Sequence, residues 1–530
     1  MLQSWLVLLP PLIVLAAALV TKRIVFSLML GVLSASLVAT NLELSTTIYL
    51  ILASFKQQLA DLDNWYAYAF VFITGIIVVL LNYSGGTIAL ARLITDRLKT
   101  AKSAQFAAVL LSCCFFIDDY LSCLAVGHIM RPITDRLRIP KAKLAFLLAA
   151  IPAPLAIAVP ISSWVGVIVS RFDQVGISLD HGTVIAVDPY TVFLQTIPFV
   201  FYAVIMLAGV WFLLYREISF GTLKHHETVA ATTGNLFGGQ APLVTPADTP
   251  QFVAQCSLTD FLLPILALVS LIIVGVLYQG GYWLLGGTHT LIQVFQQQLN
   301  LFPVLFVAAA SALSISLLAA LVRHKIQWTN VPQIFRDGIK LMFSAILILL
   351  LAGVFGTLLR EHLHTGEYLA NLLLSHIDLI FLPLMIFVVT FLVATATGSA
   401  WGTLAIVVPL AVPMIVTLLQ LATPLAPDLL YLLLPSLGAI LSGAAAGDHF
   451  SPISGATVMS ASSSGAYLID HIKTQMEYAT PMILATMVAY LVVGWLAPVH
   501  SFWGVSLALV AGLATCFGLL LLLHKLYERR

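Results

Sequence analysis

Asp118 and Asp119 stand side by side in the run Cys113-Cys114-Phe115-Phe116-Ile117-Asp118-Asp119-Tyr120. The surrounding stretch, Ala104 to Met130, is otherwise as apolar as a membrane span. A carboxylate at bilayer depth costs roughly 2.5 to 3.5 kcal/mol on insertion scales, so an adjacent pair persists only where it faces protein, water or a cation. Two abutting carboxylates in a low dielectric do not both ionise cheaply, so one holds a proton until a cation arrives. Such a pair has the chemistry of proton-for-cation exchange, and its alternative is a structural pair capped by Tyr120, Ser122 or a helix end.

A third carboxylate, Asp448, lies where another apolar run breaks, in Gly447-Asp448-His449-Phe450-Ser451-Pro452-Ile453-Ser454. It either joins the site or caps the half-helix that follows. His449 either shuttles protons or satisfies a buried carbonyl. Ser162, Ser163, Ser399 and Ser454 either ligate substrate or bond to carbonyls freed by neighbouring Pro and Gly residues. Ser122 and Ser451 complete the candidate set. Trp164 and Trp401 follow the polar breaks and are expected to pack. His128 is expected to snorkel to the interface. Arg131 and Asp135, four apart, are expected to form a structural ion pair.

The elements that position these residues follow from composition. Of 530 residues, 60% are hydrophobic and 9% charged, and mean hydropathy is +1.03, far from the roughly 25% charged content of soluble domains. The chain is therefore an all-α polytopic membrane protein with the lipid bilayer as its environment. A net charge of +1 gives no reason to expect nucleic acid. Cys113, Cys114, Cys123, Cys256 and Cys516 show neither metal-ligand nor disulfide spacing, and no cofactor or resident metal is called for. An intramembrane enzyme would need a nucleophile with its base, and a channel a continuous polar pore; the sequence offers neither pattern.

A span needs about 20 apolar residues, and short loops rich in Lys and Arg stay in the cytoplasm. Trp5 to Val20, followed by Lys22 and Arg23, resembles a retained first span that runs inward, which puts the N-terminus outside. Phe26 to Thr40 returns to an acidic loop with Glu43, Asp61 and Asp63, and Tyr66 to Leu81 goes inward. Both flanks of Ala104 to Met130 are basic, so the economical reading is a re-entrant hairpin with the aspartates at its tip; a single crossing is the alternative. Leu144 to Ser170, interrupted by Pro152, Pro154 and Pro160, reads as a discontinuous helix.

Residues 1–215 form a first half, 216–260 a polar cytoplasmic linker holding His225 and His226, and 261–530 a second half. Leu379 to Leu421 is interrupted at Thr395 to Gly402 and reads as a second hairpin or as two crossings. Leu429 to Leu441 precedes the break at Gly447, and the stretch with Asp470, His471 and Lys473 is cytoplasmic. Met482 to Leu496 and Phe502 to Leu523 finish as plain spans facing lipid or a second protomer of a homodimer, with Lys525, Arg529 and Arg530 inside. Pro160-Ile161-Ser162 and Pro452-Ile453-Ser454 each follow a candidate hairpin in halves of opposite direction, which points to an inverted-topology repeat with its site near the midplane.

Six ordered runs, Asp118-Asp119-Tyr120, Met130 to Asp135, Lys143 to Phe146, Pro160 to Trp164, Gly447-Asp448-His449 and Ser451 to Ser454, resemble the NhaC-type sodium/proton antiporters of the ion transporter superfamily. The resemblance spans roughly Gly75 to Ala479. It implies Na+ and H+ as the transported species in the cell membrane. The family's usual Asp-Ser-Thr run is replaced by Ala149-Ala150-Ile151, its Asn after Asp-Asp-Tyr by Ser122, its Thr-Ser-Trp-Gly by Ser399 to Gly402, and its second Asp-Thr by Gly455-Ala456. Hard cations prefer oxygen ligands, so these losses point to an alternative: coupled transport or exchange of a small organic acid or amino acid.

Overall fold

The structure is a computed structural model that describes all residues except 1–4, 22–23, 87–88, 90–97, 117–118, 161, 179–183, 243–256, 291–293, 295–301, 366–367, 369–377, 419–432, 453, 497–501 and 529–530. Its regular structure is helical. The first half comprises α1 (Leu9–Thr21), α2 (Ile24–Ala39), α3 (Leu44–Ala60), α4 (Leu62–Tyr83), α5 (Ala101–Cys114), α6 (Asp119–Arg136), α7 (Lys141–Ala150), α8 (Pro152–Ala156), α9 (Ser163–Gln174), α10 (Pro189–Thr196) and α11 (Phe201–Arg216). After α12 (Gly221–Thr233) come α13 (Leu258–Gln279), α14 (Phe302–Val322), α15 (Val331–Thr357), α16 (Leu382–Thr397), α17 (Ala400–Leu418), α18 (Leu434–Phe450), α19 (Gly455–Ser464), α20 (Leu468–Leu496) and α21 (Phe502–Glu528).

Among the described residues, eight helices are long and apolar enough to cross a bilayer, or up to nine with the bent pair Trp328–Phe343 and Ile346–His362. Several of them expose large apolar side chains, including Leu266 and Ile273 on α13, Val307 and Leu318 on α14, and Val510 on α21. Lipid is the solvent that makes such surfaces stable. The helices carrying the candidate residues are instead enclosed: every residue of α7 is buried, and so is α18 from Leu434 to His449.

α5 and α6 pack against each other, with Phe115 and Phe116 after α5 outside helix. The Arg136 guanidinium donates to the Leu98 carbonyl, 3.4 Å away, which brings the two ends of the pair together. Thr100 starts α5 with a capping box: its hydroxyl accepts from the Ser103 N–H at 3.1 Å, and the Thr100 N–H donates to Ser103 Oγ. The expected discontinuous helix is resolved into α7, α8 and α9, with Ile157 to Pro160 and Ser162 outside helix. The second break falls at Ser451, Pro452 and Ser454, so α18 continues through Asp448 and His449 further than the glycine at 447 suggested. Of the two readings of Leu379 to Leu421, two crossings agree with the helix lengths: Leu379–Thr397 and Ala400–Leu418 are each long and apolar enough to span.

Close backbone approach holds α16 against α18. A Cβ at Gly443 would lie 2.7 Å from the Phe387 carbonyl oxygen, and one at Gly447 would lie 2.4 Å from Ala394 Cβ. Small residues four apart give membrane helices the contact that larger side chains prevent.

Three expectations change. The acidic outer loop is largely helix α3, with Glu43 and Asp61 at its two ends. The polar linker contains α12, which is tied to α7 by an ion pair between Lys143 and Glu227 and to α20 by the Thr222 hydroxyl donating to Glu477 at 2.9 Å. Asp135 is held by Lys141, whose Nζ lies 2.5 and 2.7 Å from its two oxygens, where the sequence pointed to Arg131. Burial lowers the pKa of Lys141 while the Asp135 carboxylate pulls it back up. The His128 side chain lies outside the described residues.

Candidate functional site

Asp119 occupies the first turn of α6 and is 2% exposed. The Trp164 indole N–H donates to its Oδ1 over 3.3 Å. Trp164 is set by the break before it: the Ser162 hydroxyl accepts from the Trp164 backbone N–H at 3.2 Å and donates to the Ala156 carbonyl at 2.7 Å. One serine thereby caps α9 and closes the end of α8. Asp118 lies outside the described residues.

The Trp164 ring meets Trp401 edge to face, with centroids 5.6 Å apart at 80°. Trp401 stands in the first turn of α17, after Gly398, whose φ of 65° ends α16 in the left-handed region. Ser399 Oγ accepts from the Gly402 N–H at 3.0 Å, so its role here includes shaping the start of α17.

Asp448, 6% exposed, has the Ser454 hydroxyl and the Ala400 backbone N–H near its carboxyl. The second carboxylate therefore sits at the N-terminus of α17, next to the residue that precedes α19. A chain of neighbours leads from Asp119 through Trp164 and Trp401 to the start of α17 and Asp448. Four helix starts take part: α6, α9, α17 and α19. Their positive dipole ends favour the charged form of carboxylates placed against them. Two shielded carboxylates supported in this way still need protons or cations to balance them.

The remaining candidates divide by their bonds. Ser122 Oγ donates to the Ser112 carbonyl at 3.4 Å, linking α6 to α5. Ser163 is buried at the start of α9, and the Ser451 carbonyl accepts from the Thr457 hydroxyl at 3.2 Å, bracing the second break. His449 Nδ1 lies 2.9 Å from the Tyr202 hydroxyl on α11. His226 of the linker lies 3.8 Å from Asp470. Among the described residues, no three His, Cys, Asp or Glu side chains gather to hold a metal ion.

Sequence reasoning passed over Tyr202, His471, Gln475 and Arg171. Arg171 is fully enclosed on α9 and donates to Gln174 Oε1 at 2.6 Å and the Ile348 carbonyl at 3.0 Å. A lone cation in the apolar run Ser163 to Phe172 was the available signal. His471 and Gln475 were hidden because the first turns of α20 are polar enough to read as a loop.

Residues 155–495 match the Na+/H+ antiporter family. An uncharacterized protein of Haemophilus influenzae is 30% identical over 495 residues, covering 92% of this chain and 90% of that protein. Among solved structures, the Alcanivorax borkumensis YdaH transporter is similar with a TM-score of 0.50 at 14% identity, covering 85% of this chain and 89% of that one. At that identity the likeness is one of fold.

Proposed function

The chain belongs to the Na+/H+ antiporter family and is a multi-pass secondary transporter, and from this premise we propose that it exchanges protons for a small cation, Na+ first, at the site of Asp118, Asp119 and Asp448. The observation that carries the reading is the convergence of Asp119 and Asp448, from different halves of the chain, on helix starts linked by the Trp164 and Trp401 rings. Protons and cations compete for these carboxylates: a cation binds only when they are charged, and a proton displaces it. Competition at one site couples the two flows when the loaded site faces alternate sides of the membrane. Broken helices suit this work because their free carbonyls and helix ends supply ligands without further charged side chains.

The basic loops support placement in the cell membrane with the N-terminus outside and the C-terminus inside. An inverted repeat is supported by recurrence: the packed pair α5 and α6 precedes broken α7 to α9, and the packed pair α16 and α17 precedes broken α18 and α19.

The test is proton movement across liposomes containing the purified protein, read with a pH-sensitive dye as Na+, Li+ or K+ is added. A cation-triggered pH change is expected, falling in Asp119→Asn to the level of empty liposomes. Full activity in Asp119→Asn would remove that residue from the site. Silence of the folded wild-type protein towards all three cations would overturn cation exchange.

A further inference from the structure

α18 is gripped on two sides. On one, Gly443 and Gly447 bring it against α16. On the other, Gly438, Ser442 and His449 form a stripe, because steps of four and seven residues return a helix to nearly the same face. That stripe meets α11 and α20. A Cβ at Gly438 would lie 2.5 Å from the Phe199 carbonyl oxygen, just before α11. Ser442 Oγ accepts from the Tyr202 N–H over 3.4 Å, and the Tyr490 hydroxyl of α20 lies 2.7 Å from Ser442 Oγ and 2.8 Å from the Phe199 carbonyl. His449 Nδ1 completes the stripe, 2.9 Å from the Tyr202 hydroxyl. Ser442, His449, Tyr202 and Tyr490 are all buried.

Asp448 leaves α18 on the remaining side, roughly 100° around the axis from either stripe. There the Ala400 N–H and the Ser454 hydroxyl are near its carboxyl. The two grips therefore set its direction: a turn of α18 about its own axis carries the carboxylate away from the start of α17.

Tyr202 donates to His449 rather than the reverse. Among the described residues the Tyr202 hydroxyl has no other hydrogen-bond partner, and His449 Nε2 has none. With Nδ1–H as the donor, both the phenol proton and the Nε2 lone pair would be buried without a partner; with the phenol as donor, only Nε2–H is. The neutral ring then has Nδ1 as the one nitrogen able to take up a further proton, and Tyr202 already fills it. A proton arriving there would turn Nδ1 into a second donor facing the phenol and strand the buried hydroxyl proton. Of the two roles open to His449 from sequence, this geometry favours a structural bond over proton shuttling.

We propose that Tyr202 and His449 are positioning residues for the exchange: the bond from phenol to imidazole fixes the rotation of α18 and so aims Asp448 at the start of α17, and His449 carries no transported proton. The inference rests on the antiport reading above.

The experiment follows Na+-driven proton movement by the full-length protein in liposomes, read as KM for Na+, maximal rate and pH profile. Tyr202→Phe removes the donor and keeps the ring; His449→Leu removes the acceptor. Each is expected to raise the KM for Na+ about fivefold, the size of one buried neutral hydrogen bond, with maximal rate within about twofold. The double variant is expected to match the single ones, because both substitutions remove the same bond. His449→Asn places an amide oxygen where Nδ1 stood and does not titrate, so it is expected to bring KM back to within about twofold of wild type with an unshifted pH profile. Loss of exchange in folded His449→Asn would make His449 a proton carrier and overturn the proposal. Effects that multiply in the double variant would overturn it too, as would an unchanged KM in Tyr202→Phe. Should His449→Leu fail to fold, Tyr202→Phe and His449→Asn still decide the matter. Absence of cation-driven proton movement in the wild-type protein would instead strike the antiport reading, and this role with it.

Discussion

The two tryptophans of the site have different chemical attachments although they touch each other. Trp164 donates its indole N–H to Asp119, whereas Trp401 Nε1 makes no hydrogen bond. A hydrogen bond to a charged group contributes about 1.5 to 3 kcal/mol, and at 3.3 Å this one belongs at the weak end. Trp164→Phe keeps most of the packing and removes this donor to Asp119. The expected outcome is a rise of about tenfold in the KM for the transported cation with a smaller change in maximal rate. Trp401→Phe loses ring area alone and is expected to move KM by no more than about twofold. Cation titrations of the reconstituted variants check the pair, and equal effects would deny the Asp119 hydrogen bond any role in holding the cation. The same local view bears on the positions where the resembled family carries more oxygen ligands. Gly455 directly follows Ser454, whose hydroxyl neighbours the Asp448 carboxyl, and the Ala149 backbone adjoins the His449 ring.

At the scale of elements, the contact between α16 and α18 decides whether Asp448 reaches the start of α17. Gly443→Val would drive its Cβ to 2.7 Å from the Phe387 carbonyl oxygen and 2.8 Å from Thr390 Cβ, which neither helix backbone accommodates without moving. Overpacking of this kind costs about 3 kcal/mol. A clear fall in the thermal unfolding midpoint in detergent is therefore expected. Gly518→Val on α21, where an added Cβ meets nothing within 4 Å, is the control and is expected to leave the midpoint unchanged. The breaks that create the helix starts were legible because proline and glycine interrupt backbone hydrogen bonding wherever they fall. Pro152, Pro154 and Pro160 marked one break, and Pro452 the neighbourhood of the other. The first turns of α20 and the polar ends of α3 were not legible, because their residues match the composition of loops. Long-range contacts accompany them: further along α20, Tyr478 stacks on Phe220 with centroids 4.2 Å apart, and Gln58 of α3 donates to the Thr357 hydroxyl at 3.2 Å. Hydropathy carries no record of such long-range partners. For the same reason Asp119 and Asp448 could be picked out singly, while the contact between the Trp164 and Trp401 rings that links the halves could not.

For the whole molecule the deciding matter is which segments cross the bilayer, since that sets which side each half of the site opens to. α5 has 14 residues, about 21 Å at 1.5 Å per residue, against a hydrocarbon core of about 30 Å. It therefore falls short of a span, and the Arg136 to Leu98 hydrogen bond places the far end of α6 beside the start of α5. If the pair enters and leaves on one side, the Asp119 carboxylate at the start of α6 reaches membrane depth without the chain crossing there, and every later span keeps the direction set by the basic loops. Lys99 and Arg138 are both exposed and flank the pair, so cysteines introduced at these positions in a background without the five native ones report its sidedness. Lys99→Cys and Arg138→Cys are both expected to react with a membrane-impermeant maleimide in inside-out vesicles and to be protected in right-side-out vesicles. Labelling from opposite sides would make Ala104 to Met130 a single crossing. That result would reverse the direction of every later span, place the C-terminus outside against the basic residues Lys525, Arg529 and Arg530, and thereby exclude the proposed orientation.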